Sequence, residues 1–376
     1  MGMRIWKTPY HSYRTGELAR GCRLCVKGLK EVLFVTGLCG QHCFFCPLSE
    51  QKKDRDVVYA NEWPIKRMKE IVTESRLCDS KGAGITGGDP MLKLERTVKI
   101  IKMLKKRFGK EFHIHLYTPL PEVSLENLSR LHKAGLDEIR FHPELLDKKF
   151  WDRIVLARRF DWSVGVEIPL IPGNAKETRE LIQYMHDKID FLNLNELEIS
   201  TTNADELEKR GHFAKSSLSY GVRGSEEMAI ALLRLCQKLN LRTHYCTTTL
   251  KDRVQLAKRI KRRAKNAAQS FDRVTREGML VRGAIYLRNL EPGFGYRKQI
   301  ARADRKRALK SLNALRHSLT RRLGIPHSMV VVDHKKLRLL TTVSIAKRLA
   351  GRIENKCAIV EEYPTYDQFE VTVEVL

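Results

Sequence analysis

Val35-Thr36-Gly37-Leu38-Cys39-Gly40-Gln41-His42-Cys43-Phe44-Phe45-Cys46-Pro47 continues a strand-like run that begins at Glu31 and sets three cysteines, as Cys-x3-Cys-x2-Cys, on one short loop. Thiolates grouped this way are ligands for a soft metal. An iron–sulfur cubane takes four thiolates, so a loop that offers three leaves one iron open to an exogenous ligand, and an open iron can do chemistry. The competing reading is a zinc knuckle, because zinc sites also use Cys-x2-Cys pairs. A zinc ribbon, however, gives no reason for the loop to sit at the end of an apolar strand.

Further along, Gly87-Gly88-Asp89-Pro90 follows a second strand-like segment, Ala83-Gly84-Ile85-Thr86. With both motifs in view, the chain resembles the radical S-adenosylmethionine superfamily. The wording around the cysteines is similar to archaeal proteins related to the pyruvate formate-lyase activating enzyme. The resemblance implies a [4Fe–4S] cluster on Cys39, Cys43 and Cys46, and S-adenosylmethionine held by Gly87, Gly88 and Asp89; Phe45, beside the last cysteine, and Asn195, near a strand end, are expected as further cofactor contacts. It also implies reductive cleavage of the sulfonium to a 5′-deoxyadenosyl radical, fed by a reduced donor such as ferredoxin. Where the family commonly has Glu in the second motif this chain has Asp89, which shortens the reach and keeps the acceptor.

After the cysteine loop, strand-like and helix-like segments alternate, the pattern of a parallel α/β sheet. Strands are expected at 31–36, 82–86, 112–118, 138–142, 162–171, 191–199 and 241–246. Helices are expected at 65–74, 92–108, 125–134, 147–158, 176–188 and 226–239. This is one strand more than the partial (β/α)6 barrel the resemblance implies. Beyond it, basic helices over 253–265 and 301–323 and short strands around 329–333, 357–362 and 369–375 predict a small C-terminal α+β domain. The division read from the sequence is an N-terminal extension 1–27, a barrel 28–250, a basic helix and hinge 251–295, and a small basic domain 296–376.

Ligands of parallel α/β folds gather beyond the carboxyl ends of the strands. Those ends offer Thr118, Arg140 with His142, Glu167, Asn193 with Asn195 and Glu196, and Ser200. Strand alternation puts Asn193 and Asn195 on one face and Glu196 on the other. Arg140 and Glu167 rank first as catalytic candidates, because charges in apolar strands are costly to bury without a purpose. A second cysteine group is Cys22-Arg-Leu-Cys25, upstream of the first strand, with His244-Tyr-Cys246 in the last. Together these make four soft-metal ligands, for a second iron–sulfur cluster or a zinc ion, if the first and last strands are neighbours. Otherwise they are ordinary buried thiols. Cys78, Cys236 and Cys357 read as core.

Lys and Arg number 70 against 44 Asp and Glu, a net charge of +26 that favours a polyanionic partner. From Lys251 to Lys265 seven of the basic residues follow a single acid, Asp252, so i,i+4 ion pairs cannot neutralise the helix. Arg259, Arg262 and Arg263, with Arg305 and Arg307 on the later helix and Phe294 and Tyr296 between, are expected to face RNA, tRNA in particular. Nine cysteines, an odd number, do not read as a secreted disulfide framework, and no apolar run approaches the roughly 18 residues of a membrane span. A reducing, cytoplasmic compartment is therefore expected. The function classes left open are a radical RNA-modifying enzyme, a glycyl-radical activase or other protein modifier, and a metal-bound RNA-binding protein without catalysis.

Overall fold

The computed structural model describes residues 3–376, which form two compact units, up to Arg259 and from Ile260 to Leu376. In the first unit seven parallel strands lie side by side: β1 (Lys30–Phe34), β2 (Gly82–Thr86), β3 (His113–Thr118), β4 (Glu138–Phe141), β5 (Ser163–Leu170), β6 (Phe191–Glu196) and β7 (Thr243–Cys246). The surplus strand in the sequence is thus a real seventh member of the sheet. The sheet stays open: an N-terminal hairpin (Ile5–Lys7, Tyr13–Thr15) pairs antiparallel with β7, and two short strands from Tyr59 to Pro64 border β1.

Alternation along the strands explains the layers. Leu33, Ile85, Ile114, Leu116, Ile139, Phe141, Val164, Val166, Leu192 and Leu194 are buried in one apolar core with residues of the outer helices, such as Ile100, Leu104, Leu128 and Leu232. The other face is polar. Pairing aligns His115 with Glu138, Tyr117 with Arg140, Glu167 with Asn193, and Asn193 with His244. Into this face fits a helix of six residues, Arg20–Cys25, which touches β1, β2 and β3. Gly21 is the point of closest approach: a Cβ there would stand 2.5–2.7 Å from Arg140, His115 and Glu138. No helix is expected in the N-terminal extension that carries Cys22 and Cys25, since six residues have too little periodicity to reveal one.

Two expected helices differ. Residues 147–158 were expected to be α-helical, but Trp151–Arg159 is a 3-10 stretch. The segment expected over 301–323 is two helices, Tyr296–Arg302 and Arg305–Leu323, because Asp304 caps the second by accepting the Arg307 amide.

The second unit is an antiparallel sheet of β8 (Leu280–Tyr286), β9 (Val330–Asp333), β10 (Arg338–Thr341), β11 (Cys357–Glu362) and β12 (Glu370–Val375), ordered β9-β10-β8-β11-β12, with a short strand Arg273–Val274 on β8. The boundary expected near residue 295 falls instead after Arg259, because β8 pairs with both β10 and β11 at the centre of this sheet. Fully buried Arg338 ties the sheet together through Asp333 at 3.1 Å, Glu370 at 2.8 Å and Glu362.

Candidate active site

The cysteine loop leaves β1 at its carboxyl end and returns at Arg55. Gly37 N–H donates to Arg55 O at 2.8 Å and Asp54 N–H to Gly37 O at 3.1 Å, so both ends of the loop are hydrogen-bonded together. A side chain at Gly37 would overlap the returning backbone at Lys52, which explains the glycine. Asp56 latches the closure: it accepts Thr36 Oγ1 at 2.9 Å and a two-point contact from Arg96, whose guanidinium also reaches Val35 O at 2.9 Å. The hydrogen bond from Arg96 leads the interactions that hold the Asp56 carboxyl far below its usual range. The sequence reading missed this latch, which joins residues 40 apart in sequence.

The second motif is zipped to the first. Gly88 N–H donates to Thr36 O and Asp89 N–H to Leu38 O, both at 2.8 Å, extending the β1–β2 pairing past the strand ends. A Cβ at either Gly87 or Gly88 would collide with those carbonyls, so two glycines are required for the backbones to lie so close. Asp89 Oδ1 accepts Met91 N–H at 2.9 Å and Thr118 Oγ1 at 2.8 Å. Burial nevertheless pushes this carboxyl up to about 6.

Cys39, Cys43 and Cys46 are half-buried on the loop, with Cys46 N–H on Cys43 O at 3.1 Å and Gln41 N–H directed at Cys39 Sγ at 3.4 Å. An N–H aimed at sulfur is the contact a metal-bound thiolate uses. Burial, followed by the negative neighbour Glu144, pushes Cys43 up to about 12, an environment that a cationic iron centre would offset. Three thiols on one loop, one sulfur already carrying a donor and an acid from the next strand end alongside, fit a cluster with an open iron. Phe45 lies half-buried 5.9 Å from the His142 ring, and its carbonyl accepts Asn203 Nδ2 at 2.9 Å.

Deeper in, Arg140 is buried and bonds Glu138 at 2.6 Å, Glu167 at 2.7 Å and Tyr117 Oη at 3.1 Å. Glu167 also accepts Asn193 at 2.7 Å and Asn195 at 2.9 Å. Against the upward pull of burial, Arg140 and the two amides hold Glu167 below the ordinary carboxylate range. Asn193 and Asn195 therefore share one face as expected. Glu196 turns away to accept Thr248 N–H at 2.8 Å. Lys30, unremarked in the sequence, is buried at the β1 start, bonded to Ala83 O at 2.8 Å, His113 O at 2.6 Å and His113 Nδ1 at 2.9 Å; burial brings it down to about 7.

Of the second cysteine group, Cys22, His244 and Cys246 are buried and Cys25 is half-buried. Among the described residues no three His, Cys, Asp or Glu side chains are gathered into a ready metal cage, and that holds for Cys39, Cys43 and Cys46 equally.

The RNA-facing arginines divide. Arg263 is 6% exposed and Arg259 is half-buried with its guanidinium 3.4 Å from Lys30 O, so neither belongs to an open basic stripe. Arg263 lies beside buried Ile260 and Ala264 on the inward side of the Ala257–Ala267 helix. Arg262 is half-buried, whereas Arg305 and Arg307 are exposed. Tyr296 is buried, donating its hydroxyl to Lys336 O, and Phe294 is fully exposed.

Comparison with known proteins agrees with these motifs. The Radical SAM superfamily model matches residues 33–190, which include the cysteine loop and Gly87–Asp89. A protein of Methanocaldococcus jannaschii named "Putative glycyl-radical enzyme activating enzyme" is 44% identical over 282 residues, covering 73% of this chain and 75% of the relative. The chain belongs to the radical SAM superfamily. Solved structures match more loosely. A radical S-adenosylmethionine methyltransferase from Kitasatospora setae has a TM-score of 0.36 at 13% identity, covering 50% of this chain and 38% of that one. Coproporphyrinogen III oxidase from Escherichia coli has a TM-score of 0.37 at 12% identity, covering 60% and 57%. Methylornithine synthase has a TM-score of 0.38 at 17% identity, covering 60% and 71%. This chain therefore spans less than two thirds of the first two of these structures. As an S-adenosylmethionine radical enzyme it has the catalytic domain, and among its described residues no helix is long and apolar enough to cross a membrane.

Proposed function

We propose that this chain generates a 5′-deoxyadenosyl radical to take a hydrogen atom from a protein substrate, in the manner of a glycyl-radical activase. The observation that carries the reading is the 44% identity to a relative named as an activating enzyme, over three quarters of that relative's length. Cys39, Cys43 and Cys46 would hold the [4Fe–4S] cluster, which would supply the electron for reductive cleavage of S-adenosylmethionine to methionine and the 5′-deoxyadenosyl radical. This chain's own part is to hold the reactants. Gly87, Gly88 and Asp89 lie against the cluster loop, where the Asp89 carboxylate would receive the methionine ammonium, and Phe45 and His142 line the same rim. Arg140, Glu167, Asn193 and Asn195 form a cross-linked base beneath it, which keeps the rim from shifting; we assign them positioning roles.

RNA modification is the second reading, and one observation favours it. The Arg305–Leu323 helix contains no acid, and its exposed Lys306, Arg307, Lys310, Arg321 and Arg322 have no ion-pair partner among the described residues. Such a face is relieved by phosphate.

Isotope transfer separates the two. Reduced enzyme with S-adenosylmethionine is given either soluble protein from cells fed α-deuterated glycine or tRNA from cells fed deuterated ribose and bases. The activase reading predicts 5′-deoxyadenosine one mass unit heavier with the protein alone. Label arriving only from tRNA would overturn it in favour of the second reading.

A further inference from the structure

The plug helix, which carries Cys22 and Cys25, lies against the polar sheet face whose seventh strand carries His244 and Cys246, four soft-metal ligands that the radical chemistry leaves unused. Cys22 and Cys25 lie one turn apart on the Arg20–Cys25 helix. Cys22 Sγ is 3.3 Å from Asn193 Nδ2, and Asn193 is the β6 residue paired with His244. One step up the same face, Asn195 pairs with Cys246. Cys246 is packed in one apolar cluster with Val26, the residue that follows Cys25. The face of β7 carrying His244 and Cys246 therefore meets the end of the helix carrying Cys22 and Cys25.

Two features of this place go unused by packing. His244 is buried, its Nε2 engages Ser12 Oγ at 3.2 Å, and its Nδ1 has no hydrogen-bond partner. An imidazole oriented through one nitrogen with the other unoccupied is the arrangement a metal-bound histidine adopts. Cys22 Sγ receives N–H groups from both Asn193 and the guanidinium of Arg140, the latter at 3.4 Å. The same sulfur is 3.6 Å from Asn193 Oδ1, to which the thiol can donate; as a metal-bound thiolate it would use both N–H groups to spread its charge.

We infer that Cys22, Cys25, His244 and Cys246 form a second, thiolate-ligated metal centre inside the barrel, distinct from the cluster of the rim loop. Three thiolates and one imidazole suit a tetrahedral zinc ion, and the same set suits an iron–sulfur cluster. In either form it would tie the segment preceding β1 to the last parallel strand, closing by coordination a sheet that hydrogen bonding leaves open.

The test is metal and sulfide analysis of the full chain carrying Cys39→Ala, Cys43→Ala and Cys46→Ala together, purified without oxygen. The expected result is retained metal: about one zinc per chain, or iron with matching sulfide, the two arms that name the centre. Adding Cys22→Ser and Cys246→Ser should remove that metal. In the otherwise unaltered chain, the same two changes should lower total metal by the same amount while leaving the iron of the rim loop, so the outcome does not depend on one variant folding. Metal-free triple variant that keeps the native circular dichroism spectrum would overturn the proposal. So would metal that survives loss of Cys22 and Cys246.

Discussion

The two cysteine groups of the first unit are built in opposite ways. Cys39, Cys43 and Cys46 come from eight consecutive residues of a half-buried loop, closed by the Gly37–Arg55 bonds and the Asp56–Arg96 latch. Cys22, Cys25 and Cys246 come from opposite ends of the unit, the first two on the plug helix and the last on the seventh strand. The rim group depends on local chain geometry and can exchange with solvent-borne partners, as a site for a cosubstrate must. The interior group depends on the whole fold and is sealed in a charged network that has little freedom to move.

Stability should expose that contrast most strongly. Arg140 is buried between Glu138 and Glu167, so Arg140→Met leaves two carboxylates without their cation. Removing one partner of a buried ion pair costs about 3–5 kcal/mol. Cys43→Ala on the half-buried loop should cost about 1 kcal/mol or less in cluster-free protein. Anaerobic urea unfolding compares them, and equal losses would erase the distinction between a rigid interior and a local rim loop.

A smaller, pH-dependent effect sharpens the account of the rim. Asp89 titrates at about 6 in the folded chain because of its burial. Its unfolded value is about 3.9, so the folded state binds this proton more tightly and stability without ligand falls as pH rises from about 4 through about 6. Binding of S-adenosylmethionine should run the other way, because only the carboxylate receives the ammonium: affinity weakens by up to about tenfold per pH unit below 6. Asp89→Asn should bind weakly with no such slope. Calorimetric titration across this range checks both, and a slope that persists in Asp89→Asn would move the titration to another group.

The same contrast explains what could be read from the chain itself. The rim loop, the glycine motif and all seven parallel strands were legible because each is a local pattern: cysteine spacing, paired glycines, short apolar runs. The plug was not, since its six residues form a helix only by filling the polar face of the sheet. Strand β8 was overlooked because Leu280-Val-Arg-Gly-Ala-Ile-Tyr286 places a charge and a glycine within its run, and Arg282 is tolerated there only by pairing with Asp272 and Glu362. Counting charge along the basic helix could not tell Arg263, turned inward, from the exposed cations of the Arg305–Leu323 helix. Burial of a long side chain depends on which helical face meets the core, and that is a tertiary fact.

The central claim is that the rim group, and not the interior one, runs the chemistry. Its most direct test is the yield of 5′-deoxyadenosine from S-adenosylmethionine under a strong reductant, measured for reconstituted unaltered protein and for Cys43→Ala. The account predicts steady product from the first and none above background from the second, with the reducible [4Fe–4S] signal lost in parallel. Undiminished product from Cys43→Ala would contradict it.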